Sequence, residues 1–256
     1  MKGKPDTSWG KSATWYDKLL GEDDTYQRKV ILPNLLRQLN LKRGEIVLDL
    51  ACGQGFFSNE FYKTGAKVIG CDIAEELIEI AKKKSPKEIE YKICSSNKLD
   101  FLTNASVNKI VCILALQNIQ DIIGTMKECR RVLKKDGEFF LVLNHPAFRI
   151  PQWSSWMWDE EVSVQYRRID RYMSEDKVKI QTHPGTDPSK FTFSFHRPLQ
   201  YYFKMLAKNG LAVTGMEEWI SHRQTTTGPR KEAENRSRIE IPLFMFLKAI
   251  KLWKRG

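Results

Sequence analysis

The stretch Val47-Leu48-Asp49-Leu50-Ala51-Cys52-Gly53-Gln54-Gly55-Phe56-Phe57 decides the fold. Glu45 to Leu50 is a short apolar run, the pattern of a buried parallel strand. It enters a tight loop with glycines at alternate positions, then a helix over about Phe56 to Lys63. Glycine lets a backbone take unusual torsions and approach a ligand closely. The helix start offers unpaired N–H groups. Nineteen residues beyond Gly53 stands Asp72, at the end of a second apolar run, Lys67 to Cys71. A carboxylate there can accept hydrogen bonds from both hydroxyls of a ribose. The geometry suits a nicotinamide dinucleotide or S-adenosylmethionine. The dinucleotide fingerprint wants a third glycine three positions after the second, and that position is Ser58.

Working outward, strands and helices alternate. Asp23, Asp24 and Thr25 can cap a helix running to about Asn40, with Pro33 kinking it or starting its second part. Ala74 to Lys84 reads as a helix whose last turn carries Lys82, Lys83 and Lys84, a placement that suits the helix dipole. Glu90 to Cys94 and Lys109 to Leu114 read as the third and fourth strands. Ile122 to Leu133 reads as a helix closed by Lys134-Lys135-Asp136-Gly137, and Phe139 to Leu143 as the fifth strand. This alternation predicts a doubly wound, Rossmann-like α/β fold: a mostly parallel sheet of seven strands with helices on both faces. About fifty residues then intervene before a helix from Leu199 to Asn209, far more than an ordinary connection. They hold Trp153, Trp156 and Trp158. Leu211 to Met216 and Phe244 to Ile250 read as the last strands, and Thr225 to Arg238 as a polar loop. The expected organisation is an N-terminal helical segment covering the cofactor site (1–44), a cofactor-binding core (45–144), an aromatic-rich insertion or lid over the acceptor site (145–197), and a final helix with two strands (198–256).

Asp49-Leu50-Ala51-Cys52-Gly53-Gln54-Gly55 resembles the first motif of class I methyltransferases, in the group called the type 11 methyltransferase domain. Asp72, the segment Ile113 to Ile119 and the turn Leu133 to Gly137 resemble further motifs in the same order. The resemblance covers roughly residues 45 to 143. It implies S-adenosylmethionine as cofactor and methyl transfer as the activity. By the same resemblance Asp49 orients the glycine loop, and Ala51, Gly53 and Gly55 let the backbone approach the methionine part. Asp72 holds the ribose, Ile73 lies against the adenine, and the backbone near Leu114 accepts from the cofactor's amino group. Many relatives carry an aspartate at the end of the third strand; this chain has Ser95 and Ser96, an uncharged and weaker contact. Tyr16 resembles an aromatic that some relatives fold over the cofactor, and packing is the equal alternative.

Methyl transfer mainly needs the nucleophile held near the methyl group with water excluded. A base is required only where the acceptor must lose a proton. His145 follows the fifth strand at the ligand-binding edge and is the first candidate for base or substrate contact. Arg149 is a candidate partner for an acidic substrate group. Trp153, Trp158 and His196 are candidate contacts beneath the insertion; His183 also lies within it.

The chain has 256 residues, 42 basic and 31 acidic, for a net charge of +11. That balance admits RNA, but the basic residues are dispersed along the chain. The Asn- or Asp-Pro-Pro-aromatic motif of base-amino methylation and a Pro-Cys for base-carbon methylation are both missing. A small-molecule acceptor is therefore expected ahead of RNA. A nicotinamide oxidoreductase and a non-catalytic cofactor binder are the remaining alternatives. The five cysteines are too widely spaced for a zinc or redox motif, so no metal is expected. No apolar run has membrane-spanning length and the first twenty residues lack a signal-peptide core, so a cytoplasmic location and no membrane partner are expected. Oligomeric state is not legible.

Overall fold

The apolar runs become strands: β1 (Ile46–Leu50), β2 (Lys67–Asp72), β3 (Glu90–Ile93), β4 (Val107–Ile113) and β5 (Leu133–Asn144). The insertion forms β6 (Ser154–Asp159), β7 (Val164–Ile169), β8 (Asp176–Gln181) and β9 (Phe191–His196), and the chain returns through β10 (Leu211–Trp219) and β11 (Phe244–Lys251). These come from a computed structural model that describes Gly10 and residues 22–181 and 191–252. Seven strands form one sheet in the order β10-β11-β5-β4-β1-β2-β3. The first five are mutually parallel, and β11 runs antiparallel between β5 and β10. The chain reverses direction across the sheet between β1 and β4, which opens a crevice at their carboxyl ends.

Side chains alternate across the strands and split the core into two layers. Leu48, Leu50, Phe139 and Leu141 face one side, against Ile122, Met126 and Cys129 of α4 (Ile122–Val132) and Met205 and Leu206 of α5 (Leu199–Lys208). Val47, Phe140 and Val142 face the other. There they meet Leu35 and Leu39 of α1 (Leu32–Leu39), Phe61 of α2 (Phe56–Lys63) and Ile78 of α3 (Glu75–Lys84). Helices therefore cover both faces. Four cysteines are buried in these layers or beside them, and Cys94 is half-buried; all five are free thiols.

Three sequence expectations need correction. The first helix opens with a π-helical turn, Gln27–Ile31, ahead of α1. Pro33 has no N–H to donate, which favours the wider turn before it and keeps the helix intact. Thr25 Oγ1 accepts from Arg28 N at 3.3 Å, and Asn40 ends α1 in the left-handed region. Lys134 to Gly137 does not stand outside the sheet: β5 begins at Leu133, and the extra residues are absorbed as an irregularity between the pairs Val107–Leu133 and Lys109–Glu138. The expected polar loop near residue 225 contains α6 (Lys231–Glu240). Its acidic first turn and its basic last turn suit the helix dipole. It packs on β7, and Arg230 before it pairs with Glu160 at 2.7 Å.

The insertion is two antiparallel hairpins, β6–β7 and β8–β9. The first leaves Trp156, Met157, Val164 and Tyr166 exposed. The second buries Val178, Thr192, Ser194 and His196. Strand β9 lies against the 3-10 turn Leu116–Asn118 that follows β4. The hairpin thus sits at the carboxyl edge of the sheet, beside the crevice. Among the described residues no helix is long and apolar enough to cross a membrane.

Candidate cofactor and acceptor site

The loop after β1 is built from its hydrogen bonds. Ala51 stands at φ +59°, Gly53 at +56° and Gly55 at +83°. Ala51 carries a side chain in a region L residues avoid, the kind of strain that concentrates at functional sites. Gly55 begins α2, and a Cβ there would collide with the Tyr91 hydroxyl. Asp72, at the end of β2, ties the loop down: its Oδ2 accepts from Gly53 N at 3.0 Å and its Oδ1 from Ala74 N at 2.9 Å. Burial raises the Asp72 pKa, and the backbone N–H groups partly offset that. Asp49 is buried beneath the loop, where Ser58 Oγ donates to its Oδ2 at 2.6 Å. Burial pushes Asp49 up to about 7, with the Ser58 bond opposing and the Asp72 charge reinforcing the shift. Ser58, the residue in place of a third glycine, is therefore the hydroxyl that satisfies this carboxyl.

Asp49, Ala51, Gly53, Asp72, Ile73 and Leu114 line one groove of about 130 Å³. Leu114, just after β4, stands at φ +52°, a second strained residue lining the same groove as Ala51. An adjoining cavity of about 420 Å³ continues past Asp72 and Ile73 to Ser95, Ser96, Asn97 and Asp121. Thr125 Oγ1 donates to Asp121 O, so Ser96 Oγ donates to Thr125 Oγ1 at 2.8 Å. Asp121 Oδ2 accepts from Asn97 Nδ2 at 2.6 Å; that bond, followed by the one from Gly124 N, lowers the Asp121 pKa.

A third cavity, of about 380 Å³, opens from Leu114 and Asn118, which also line the groove. Its far wall is β8–β9, through Ile180, Thr192, Ser194 and Phe195. Arg149, Arg197 and Gln117 supply its strongest polar groups. Gln117 Nε2 donates to Leu114 O at 2.7 Å, while its Oε1 is buried without a partner among the described residues.

The described groups fit S-adenosylmethionine. Each oxygen of the buried Asp72 carboxylate accepts one N–H, which leaves acceptor capacity for two ribose hydroxyls. The groove and the adjoining cavity place an apolar wall, Ile73 and Ile119, beside polar groups at Asn97 and Asp121. Residues 48–141 match the family model of a methyltransferase domain. That stretch is a methyltransferase domain. Its cofactor is S-adenosylmethionine. The ubiquinone biosynthesis O-methyltransferase of Xanthomonas oryzae pv. oryzae is 31% identical over 101 residues, 38% of this chain and 42% of that protein. The biotin biosynthesis bifunctional protein BioHC of Cellvibrio japonicus is 30% identical over 178 residues, 68% of this chain and 32% of that protein. The chain thus spans less than half the length of these curated relatives. The crystal structure of an S-adenosylmethionine dependent methyltransferase from Mesorhizobium loti superposes with a TM-score of 0.71 at 25% identity, covering 90% of this chain and 99% of that one.

Around this domain the structure redistributes the acceptor-side candidates. His145 does not reach any of the three cavities. Its Nε2 bonds Glu218 Oε1 at 2.6 Å, its ring packs on Phe148, and burial lowers its pKa despite Glu218. Trp153 and Trp158 also lie outside the cavities. Trp153 Nε1 donates to Asp176 Oδ2 at 3.0 Å and its ring lies under Arg171; Trp158 lies under Arg230. These aromatics stack with arginines, Arg171 inside the insertion and Arg230 outside it, while Phe195 and Tyr202 supply the aromatic wall. Arg149 lines the third cavity, and so does His196, whose Nε2 donates to the Tyr172 carbonyl at 2.8 Å. Tyr16 and His183 lie outside the described residues. Sequence reasoning missed Asn97, Asn118, Asp121 and Arg197. The only available signal was position: Asn118 and Asp121 follow β4, and Arg197 follows β9.

Proposed function

We propose that the protein is a methyltransferase acting on a small molecule held in the cavity between the end of β4 and the β8–β9 hairpin. The observation that carries this reading is continuity: Leu114 and Asn118 line both the cofactor groove and the 380 Å³ cavity. A cavity of that size suits a metabolite. In this reading residues 145–197 act as the acceptor-site cover, chiefly through β8–β9. The O-methyltransferase relatives, which are named for ubiquinone biosynthesis, support the same class.

When bound, S-adenosylmethionine supplies an electrophilic methyl group on a sulfonium. Asp72 grips the ribose hydroxyls, while Asp49 and Ser58 hold the glycine loop beneath the methionine part. Ile73 covers the adenine, and Ser95 and Asn97 flank it. Phe195, Ile180 and Tyr202 exclude water from the acceptor, so the residues act mainly by orientation. His145 carries no proton-transfer role here, because its reactive nitrogen is held by Glu218 outside the cavity. Incubating the full chain with methyl-labelled cofactor and, separately, a small-metabolite extract and total RNA tests the proposal. Label in the metabolite fraction is expected; label confined to RNA would overturn the small-molecule reading.

A further inference from the structure

The acceptor cavity has an unbalanced charge among the described residues. No described aspartate or glutamate lines it, yet two guanidinium groups do. Arg149 rises from the end of β5, where its Nη1 donates to Asn144 Oδ1 at 2.8 Å and its guanidinium lies 5.4 Å over the Phe244 ring. Among the described residues no carboxylate pairs with it. Arg197, next to β9, is only 5% exposed. Its Nη2 donates to the carbonyls of Ile119 and Gln120 at 3.0 and 3.3 Å. Its Nη1 is buried with no partner among the described residues. The rings of Phe195 and Tyr201 flank it at 5.1 and 5.4 Å.

Removing a guanidinium from water without a counter-charge is costly. Elsewhere in the fold the more exposed Arg37, Arg131, Arg168 and Arg230 each pair with a carboxylate. Arg149 and Arg197 instead line one cavity with neutral partners. Burial lowers the Arg149 pKa, with Tyr26 opposing and the nearby Arg167 adding to the shift. The rest of the lining is mainly apolar or neutral, including Pro146, Pro151, Ile180 and Phe195. That suits an organic carboxylate better than a heavily hydrated polyanion.

We propose that the methyl acceptor carries a carboxylate, held by Arg149 with Arg197 behind it. This rests on the reading of the cavity as the acceptor site, and it names the substrate class. Arg149 is a specificity residue: it fixes the anionic end and leaves the remainder of the molecule directed toward Leu114 and Asn118.

Binding tests it on the full chain saturated with S-adenosylhomocysteine. The probes are benzoate with benzamide, hexanoate with hexanamide, and phenyl phosphate, followed by ligand-detected NMR and calorimetry. Each carboxylate is expected to bind about tenfold or more tightly than its amide, the scale of a charge-assisted contact. Arg149→Gln should bring each pair to within about twofold, and Arg149→Lys should retain part of the difference. Asn144→Ala, which frees the guanidinium without removing it, should weaken the carboxylates by a smaller factor. S-adenosylhomocysteine affinity, measured in the same titrations, reports the cofactor site and folding of each variant separately. Amides equal to carboxylates, a preference that survives Arg149→Gln, phenyl phosphate ahead of benzoate, or no carboxylate binding at roughly 10 mM would each overturn the proposal. Loss of S-adenosylhomocysteine binding by the wild type would instead strike the underlying methyltransferase reading.

Discussion

Replacing Asp72 by asparagine separates holding the cofactor from holding the fold. The carboxylate accepts from Gly53 N and Ala74 N at 3.0 and 2.9 Å, so both oxygens are already engaged on the protein side. Asp72 lines the groove, and in the proposed role its remaining acceptor capacity takes two ribose hydroxyls. Asparagine keeps one acceptor and turns the other into an N–H₂ donor. That end then meets a backbone N–H with the wrong polarity, and the ribose hydroxyl beside it loses its charged acceptor. A hydrogen bond to a charged group is worth about 1.5–3 kcal/mol. Losing one on the cofactor side raises the Kd for S-adenosylhomocysteine roughly 10- to 150-fold. On the protein side the lost backbone bond is offset, because a buried neutral amide avoids the desolvation that raises the Asp72 pKa. Apo stability should therefore change by only about 1 kcal/mol. Calorimetric titration with S-adenosylhomocysteine, paired with thermal unfolding of the apo protein, gives both numbers. Affinity within twofold of wild type would refute the assigned role. A collapse of apo stability alongside affinity would refute the separation of the two roles.

Gly55→Ala combines a left-handed φ of +83° with a Cβ directed at the Tyr91 hydroxyl; it should destabilise the protein by more than about 1 kcal/mol, read from thermal unfolding. Burial raises Asp49 to about 7 from 3.8, so the native state binds more protons than the unfolded chain between those values. This group's contribution to stability therefore falls as pH rises through that window, by an upper bound of about 4 kcal/mol. Asp49→Asn, which still accepts from Ser58, should flatten that part of a stability-against-pH curve. His145 has the opposite sign: burial holds its folded pKa below 6.5, so its contribution is intact above 6.5 and is lost as pH falls through the folded value. His145→Gln should make that acid-side decline shallower and lower neutral-pH stability by about 1–3 kcal/mol. It should leave S-adenosylhomocysteine affinity within about twofold, because the side chain faces Glu218 and lies outside the cavities.

The parallel half of the sheet was legible because strands buried on both faces read as continuous apolar runs, and the glycine loop fixed where β1 ended. The helices α2 and α3 were legible for the complementary reason, a periodic apolar face. What sequence missed lacks those signals. α6 is polar almost all round, held by Arg230–Glu160 and by packing on β7, so its residues read as a loop. The start of β5 was hidden because Lys134-Lys135-Asp136-Gly137 has the composition of a turn, and only the pairing of Leu133 with Val107 before it and of Glu138 with Lys109 after it carries the strand through. On the acceptor side, residue type misled. Tryptophans and a histidine near the right edge invited a role, but Trp153 and Trp158 spend their surfaces on arginines, and His145 on Glu218. Arg197 drew no notice because an arginine in sequence carries no sign of whether a carboxylate will meet it. That is a property of packing.

The central claim is that the groove after β1 is a site for S-adenosylmethionine rather than for a nicotinamide dinucleotide. Calorimetric titration of the full chain with S-adenosylhomocysteine and, in parallel, with NADH and NADPH tests it most directly. One equivalent of S-adenosylhomocysteine should bind, with both dinucleotides silent. Binding of a dinucleotide with no response to S-adenosylhomocysteine would contradict the account.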